Sequence, residues 1–182
     1  MVQQTAILNP ATGVLTGDIV ESTCLLGSME GLFEDEETRK AMPAETVLYK
    51  VQVHAPDADA EGGLFFGTSF INPGLVGEEY FMTKGHYHNK RDTAEYYWCV
   101  SGQGLLLLMD EAGVATWQEM TPGVLCYIPR RSAHRLVNTG DGVLTIGACW
   151  PSDAGHDYGS IKEKGFGIRV KKVDGKPKVM KS

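Results

Sequence analysis

The chain has 182 residues, 42% of them hydrophobic and 22% charged, the balance expected of a soluble globular protein able to build its own core. A formal net charge of -6 argues against nucleic acid or an anionic membrane as partner, yet a locally positive site can still take a small anion. No apolar run reaches the ~18 residues of a membrane span. The opening MVQQTAILNPATG also lacks the basic patch and apolar core of a secretory signal, so the expectation is a cytoplasmic protein. Cys24, Cys99, Cys126 and Cys149 are dispersed without a Cys-x-x-Cys pair and read as reduced, packed thiols.

Twenty-two glycines and eight prolines, spread along the chain, suggest the turns of an all-β fold. Residues 1–27 read as extended pieces and turns, with breakers at Asn9-Pro10 and Thr12-Gly13. From Ser28 to Pro43 the sequence predicts one helix or two short ones, acidic at the start and ending with Arg39 and Lys40, its charges on a solvated face. Strands follow at Thr46–His54, Gly63–Ile71, Glu79–His88, Glu95–Val100, Leu105–Met109, Val114–Met120, Leu125–Ile128, around His134, and Val143–Trp150. Short strands at this spacing fit a closed antiparallel barrel or jelly roll, which disposes of exposed sheet edges. The expected organisation is a single domain over 1–182: an amino-terminal arm with helical segment over 1–45, a barrel over 46–173, and a tail over 174–182. The lysine-rich tail reads as an exposed edge strand followed by a frayed end.

The chemistry concentrates in TKGHYHNKRDTAEYYWCVSG, residues 83–102. His86 and His88 project to one side of an extended strand, and Glu95 follows. Alternating histidines also occur as merely solvated side chains, so the pair gains meaning only from its companions. Two imidazoles, a carboxylate and His134 downstream suit iron, zinc, nickel or manganese, with room left for substrate. On the Glu95 strand, Tyr97 and Cys99 share the glutamate's face. Thr83 has the opposite parity to His86 and His88, so a bulge at Gly85 is required if Thr83, the Gly85 backbone and both histidines are to meet. Each of the other candidates has a structural reading beside the functional one. Tyr97 reads as a packed barrel aromatic, and His156 and Tyr158 as members of a hydrogen-bonded turn. Lys84 and His54 read as solvent-facing or ordinary strand residues. Arg130, Arg131 and Arg135 suit a surface or dimer role as well as phosphate binding.

His-x-His, six residues, Glu95, six residues, Gly102, then Gly123, five residues, Pro129, four residues, His134, three residues, Asn138 resembles the cupin signature. Arg131 stands where cupins usually carry glycine. TKGHYHNKRDTAEYYWCVSGQG, AHRLVNTGD and PSDAGHDYGSIKEKGF together resemble the cupin-type phosphoglucose isomerases of archaea and some bacteria, over roughly residues 80–166. DAGHDYG is no part of the general cupin signature and carries most of the specificity.

That resemblance implies a cupin double-stranded β-helix with an amino-terminal arm and short helices. It implies interconversion of glucose 6-phosphate and fructose 6-phosphate; because mannose 6-phosphate differs from glucose 6-phosphate only at C2, an additional epimerase activity stays open. It implies one divalent metal ion per chain, iron first, on His86, His88, Glu95 and His134. The sugar phosphate is expected near Thr83, Gly85, Tyr97, His156 and Tyr158, with Tyr49 and Thr68 as further members. Glu95, Tyr97 and His156 are the expected catalytic groups, and the family is commonly homodimeric. Two routes fit, a cis-enediol with Glu95 as base and a metal-assisted hydride shift. The rival readings are a cupin dioxygenase and a non-catalytic sugar-binding cupin.

Overall fold

The computed structural model describes residues 5–182 apart from 57 and 59. β1 (Ala6–Leu8) and β2 (Leu15–Gly17) form a hairpin, and β3 (Val20–Leu25) leads through a 3-10 turn, Leu26–Met29, to α1 (Glu36–Ala41). β4 (Val47–His54), β5 (Leu64–Ile71), β6 (Leu75–Val76), β7 (Glu79–Tyr80), β8 (Glu95–Ser101) and β9 (Gly104–Met109) follow. Then come β10 (Ala115–Met120), β11 (Leu125–Ile128), β12 (Ala133–Asn138), β13 (Leu144–Pro151), α2 (Gly159–Lys164), β14 (Ile168–Val173) and β15 (Lys176–Lys181). Among the described residues no helix is long and apolar enough to cross a membrane.

One sheet has the order β11-β8-β13-β5-β4-β3. Facing it is β10-β9-β12, joined to the β15-β14-β7-β6 sheet by segment 82–87, which bridges Met82 to Val137 and His86 to His134. Antiparallel strands thus close into the jelly-roll barrel that the sequence predicts. The β9 run GLLLLM does not alternate because both of its faces are covered. Leu106 enters the barrel interior with Ile128, Leu136 and Ile146, while Leu105, Leu107 and Met109 pack outward against Phe166, Ile168 and Val170. Asn138, the last residue of the signature, closes the barrel by donating to the carbonyls of Ile71 and Gly142, each at 2.8 Å.

Four expectations need correction. The barrel sheet does not begin at residue 46, because β3 of the arm pairs with β4 from Val20↔Val53 onward. The tail does not fray: β15 pairs with β14 along its whole length, turned by Asp174 (φ 52°) and Gly175 (φ 76°). Two positive φ values at an Asp-Gly pair match the twist of a two-residue hairpin. The expected Glu79–His88 strand is regular only at Glu79–Tyr80, and Gly85 (φ 73°) interrupts the rest. The helical segment forms two short pieces, one of the two forms expected, with Asp35 accepting from the Thr38 N–H as amino-terminal cap. Its charges are not all solvated, since Arg39 is buried and pairs with Glu36 at 2.8 Å.

Candidate metal centre and its cavity

Segment 82–88 lies against β12, and its register is irregular at one place. Thr83 N donates to Leu136 O at 2.9 Å, whereas His86 and His134 exchange both backbone hydrogen bonds, at 3.2 and 3.0 Å. Three steps along one strand therefore face two along the other, which is a β-bulge. Leu136 N donates to Thr83 Oγ1 at 3.0 Å. Gly85 takes φ 73°, which an L side chain rarely adopts. The parity conflict of Thr83 is resolved in this way, and Thr83, Gly85 and His86 line one cavity.

His86, Glu95 and His134 line that cavity while His88 does not, and the four residues bring one ligand atom each to within 4.8 Å of one another. His88, Glu95 and His134 are all buried. Thr93 Oγ1 donates to Lys90 O, so at 2.7 Å from His88 Nδ1 it accepts the ring proton there and leaves Nε2 facing Glu95. His134 Nδ1 lies 3.5 Å from Ser132 O, which orients its ring in the same sense. The Nε2 atoms of all three histidines and Glu95 Oε1 are buried without a hydrogen-bond partner. They are nevertheless close, with Glu95 Oε1 2.6 Å from His134 Nε2 and 3.3 Å from His88 Nε2.

Burial pushes the Glu95 carboxyl up, but the facing His134 and His88 rings outweigh it and hold the group down at about 2. Burial also pushes His86 well below the usual imidazole range, helped by His134, His156 and His88, so its lone pair is free at neutral pH. Three imidazoles and one ionised carboxylate converging without a donor among them form a donor set for a divalent cation.

The cavity has a volume of about 480 Å³, and Tyr49, Tyr97, His156 and Tyr158 line it above the ligands. Burial raises the Tyr97 phenol well above its usual range, and the Glu95 charge adds to this. Tyr49 is raised in the same way by burial and Cys24, so both hydroxyls keep their protons and can donate. The His156 ring lies 4.4 Å from His86 and is stacked on Tyr158, 5.7 Å between centroids. Burial pushes His156 down, which keeps it neutral. Asp157 anchors this loop: its backbone bridges Tyr87, and its carboxylate accepts from Arg91 and Ser160, each at 2.6 Å. Arg91 also donates to His88 O at 3.1 Å, which ties the loop to a ligand residue.

Some expected members stand elsewhere. Thr68 does not line the cavity: strict pleating puts its side chain on the other face of β5, near Gly13, and turns Gly67 and Ser69 inward. Lys84 is on the cavity wall, its Nζ 6.0 Å from the Tyr158 ring centroid, rather than simply in solvent. Arg135 is buried, not a surface group. Arg131, at the usual glycine position, adopts φ 62° and so reproduces the turn, braced by Asp92 at 2.9 Å. His54 bonds Asp18 O through Nδ1, away from the cavity. Missed by the sequence reading are Cys24, with Sγ 3.3 Å from Ser28 Oγ, and Val51 and Trp150 on the apolar wall. Parity from Tyr49 would have found Val51. The pairing that brings Cys24 in has no local signal.

The family model described as glucose-6-phosphate isomerase matches residues 26–182. The chain belongs to this family. Among curated relatives, the glucose-6-phosphate isomerase of Thermococcus litoralis is 45% identical over 167 residues, covering 91% of this chain and 87% of that one. That of Pyrococcus furiosus is 43% identical over 171 residues, with coverage of 93% and 89%. That of Sinorhizobium medicae is 39% identical over 149 residues, with coverage of 80% and 69%. Among solved structures, oxalate decarboxylase from Bacillus subtilis is similar with a TM-score of 0.47 at 19% identity, covering 59% of this chain and 26% of that one.

Ligand atoms that are orphaned without a cation should stabilise the fold when one binds. Adding Mn(II), Fe(II), Zn(II) or Ni(II) at a hundredfold over its dissociation constant should contribute about 2.7 kcal/mol, a rise in Tm of several degrees by calorimetry. The rise should be absent in His88→Ala. An equal rise in wild type and variant would place the cation elsewhere.

Proposed function

We propose that the chain is a metal-dependent aldose–ketose isomerase interconverting glucose 6-phosphate and fructose 6-phosphate in the cytoplasm. The observation that carries this is the four-atom donor set, of which His86, Glu95 and His134 line a cavity walled by hydroxyls and a neutral imidazole. His86, His88, Glu95 and His134 would hold one divalent ion per chain, iron by preference, which would supply Lewis-acid polarisation of the substrate's oxygens. Arm, barrel and tail serve this site as one domain.

The remaining work falls to the chain's own groups. Glu95, held ionised, can hold the proton that moves between C1 and C2, and the same charge makes it a ligand. Tyr97 donates a hydrogen bond to oxygen as negative charge builds there. His156, neutral and against His86, takes and returns a hydroxyl proton as the sugar ring opens. Tyr158 stacks on His156 and fixes its plane. Thr83, the Gly85 backbone and Tyr49 take the phosphate. Family membership and the hydroxyl-rich wall weigh against the oxygen-using and non-catalytic sugar-binding alternatives.

A homodimer is also part of the proposal. Trp150 is buried on the cavity wall, whereas Trp98 is half-buried over Gly147. The outer face of β8 and β11 supplies an exposed surface: Tyr96, Leu125 and Tyr127 are 48%, 63% and 53% exposed, a contiguous apolar patch of the kind that marks an interface. Sedimentation should find a dimer in the wild type and a monomer in Tyr127→Glu. A wild-type monomer at micromolar concentration would refute the pairing.

The isomerase reading is tested by coupling glucose 6-phosphate formation from fructose 6-phosphate to a dehydrogenase. Turnover should vanish on chelation and return with metal, and Glu95→Gln should lower kcat by at least about a hundredfold. Metal-loaded protein that turns over neither sugar phosphate would remove the assignment.

A further inference from the structure

The bulge at Gly85 leaves the Lys84 carbonyl without a backbone N–H opposite it on β12. A side chain fills the place: Arg135 Nη2 donates to Lys84 O at 2.6 Å. Arg135 projects from the face of β12 opposite His134, is 4% exposed, and lies over the Phe166 ring with 5.0 Å from Cζ to the centroid. Its burial is deep enough to push the guanidinium down to about 10. Its Nε has no hydrogen-bond partner, and among the described residues it forms no ion pair. The nearby carboxylate of Glu79 is already taken by Arg169 at 2.8 Å.

A buried charge without a counter-charge is costly to fold around. Here it lies directly behind the cavity wall. A Cβ on Gly85 would come within 2.9 Å of Arg135 Nε, so only the glycine backbone separates the guanidinium from the cavity. On the cavity side, the Lys84 backbone approaches the Tyr49 hydroxyl, and the Gly85 N–H has no backbone acceptor among the described residues.

We infer that Arg135 is a positioning residue for the anionic end of the substrate: it pins the Lys84 carbonyl so that the bulge presents its N–H groups to the cavity, and its buried charge backs them. The counter-charge that folding leaves out is then supplied by the bound phosphate. This inference rests on the reading that the Thr83–Gly85 bulge takes the phosphate. Arg135 touches no reacting atom, so its loss should act on binding and not on the chemical step.

The test uses metal-loaded Arg135→Met and Arg135→Lys, with metal content, kcat, KM and the affinity for inorganic phosphate by calorimetry. Arg135→Met should keep wild-type metal content and a kcat within about threefold, while KM and the phosphate Kd each rise about tenfold. Arg135→Lys, which keeps the charge without the planar fork, should recover part of the phosphate affinity. Lower metal content and kcat with KM and phosphate Kd unchanged would make Arg135 a structural residue only and overturn the inference. Where Arg135→Met does not fold, Arg135→Gln, which keeps a donor but not the charge, takes its place, and wild-type KM and phosphate Kd in that variant overturn the inference equally. A wild type whose phosphate affinity depends on Arg135 but which isomerises nothing refutes the isomerase reading alone. Turnover that ignores Arg135 refutes this inference alone.

Discussion

Two residue steps of β12 face three of the Thr83–His86 segment, and the site exists because of that mismatch. In an uninterrupted antiparallel ladder Thr83 would point away from His86 and His88. The extra residue turns it back and frees a carbonyl and at least one N–H from the ladder. Gly85 is the residue that tolerates the required φ at a position pressed against Arg135. Ligand geometry, hydroxyl placement and the buried arginine behind the wall are therefore consequences of one local irregularity. The facing β8 strand stays regular, which sends Glu95 and Tyr97 to the same interior.

Positive side chains stand beside the cavity of a chain that is acidic as a whole. A protein of net charge -6 holds a deeply buried arginine behind its cavity and Lys84 on the cavity wall. Three of the four candidate ligands line the cavity with Tyr49, Tyr97 and Tyr158, and there burial keeps His86 neutral while the facing rings keep Glu95 ionised. Arg91 and Asp157 couple the two halves by joining the His88 carbonyl to the loop that carries His156 and Tyr158.

Much of this was legible because short-range rules govern it. Pleat parity put Glu95 with Tyr97, and the conflict between Thr83 and His86 pointed to a bulge at the one glycine between them. The Asp174-Gly175 hairpin had an equally local signal that the surrounding lysines obscured. Thr68 and Ser69 differ by a single step of pleat, and nothing nearby anchors that phase. Arg131 shows that a signature glycine is a demand for a backbone conformation, which an ion-paired arginine can also meet. What stayed out of reach depends on contacts distant in sequence: β3 pairing with β4 brings Cys24 to the cavity, and Phe166 covers Arg135.

The central claim is that the metal and the sugar phosphate meet in this one cavity. Electron paramagnetic resonance of the Mn(II)-loaded protein, titrated with fructose 6-phosphate, tests it most directly. The account predicts one Mn(II) per chain and a signal that changes saturably as the sugar phosphate binds. A Mn(II) signal indifferent to sugar phosphate at concentrations that sustain turnover would contradict it.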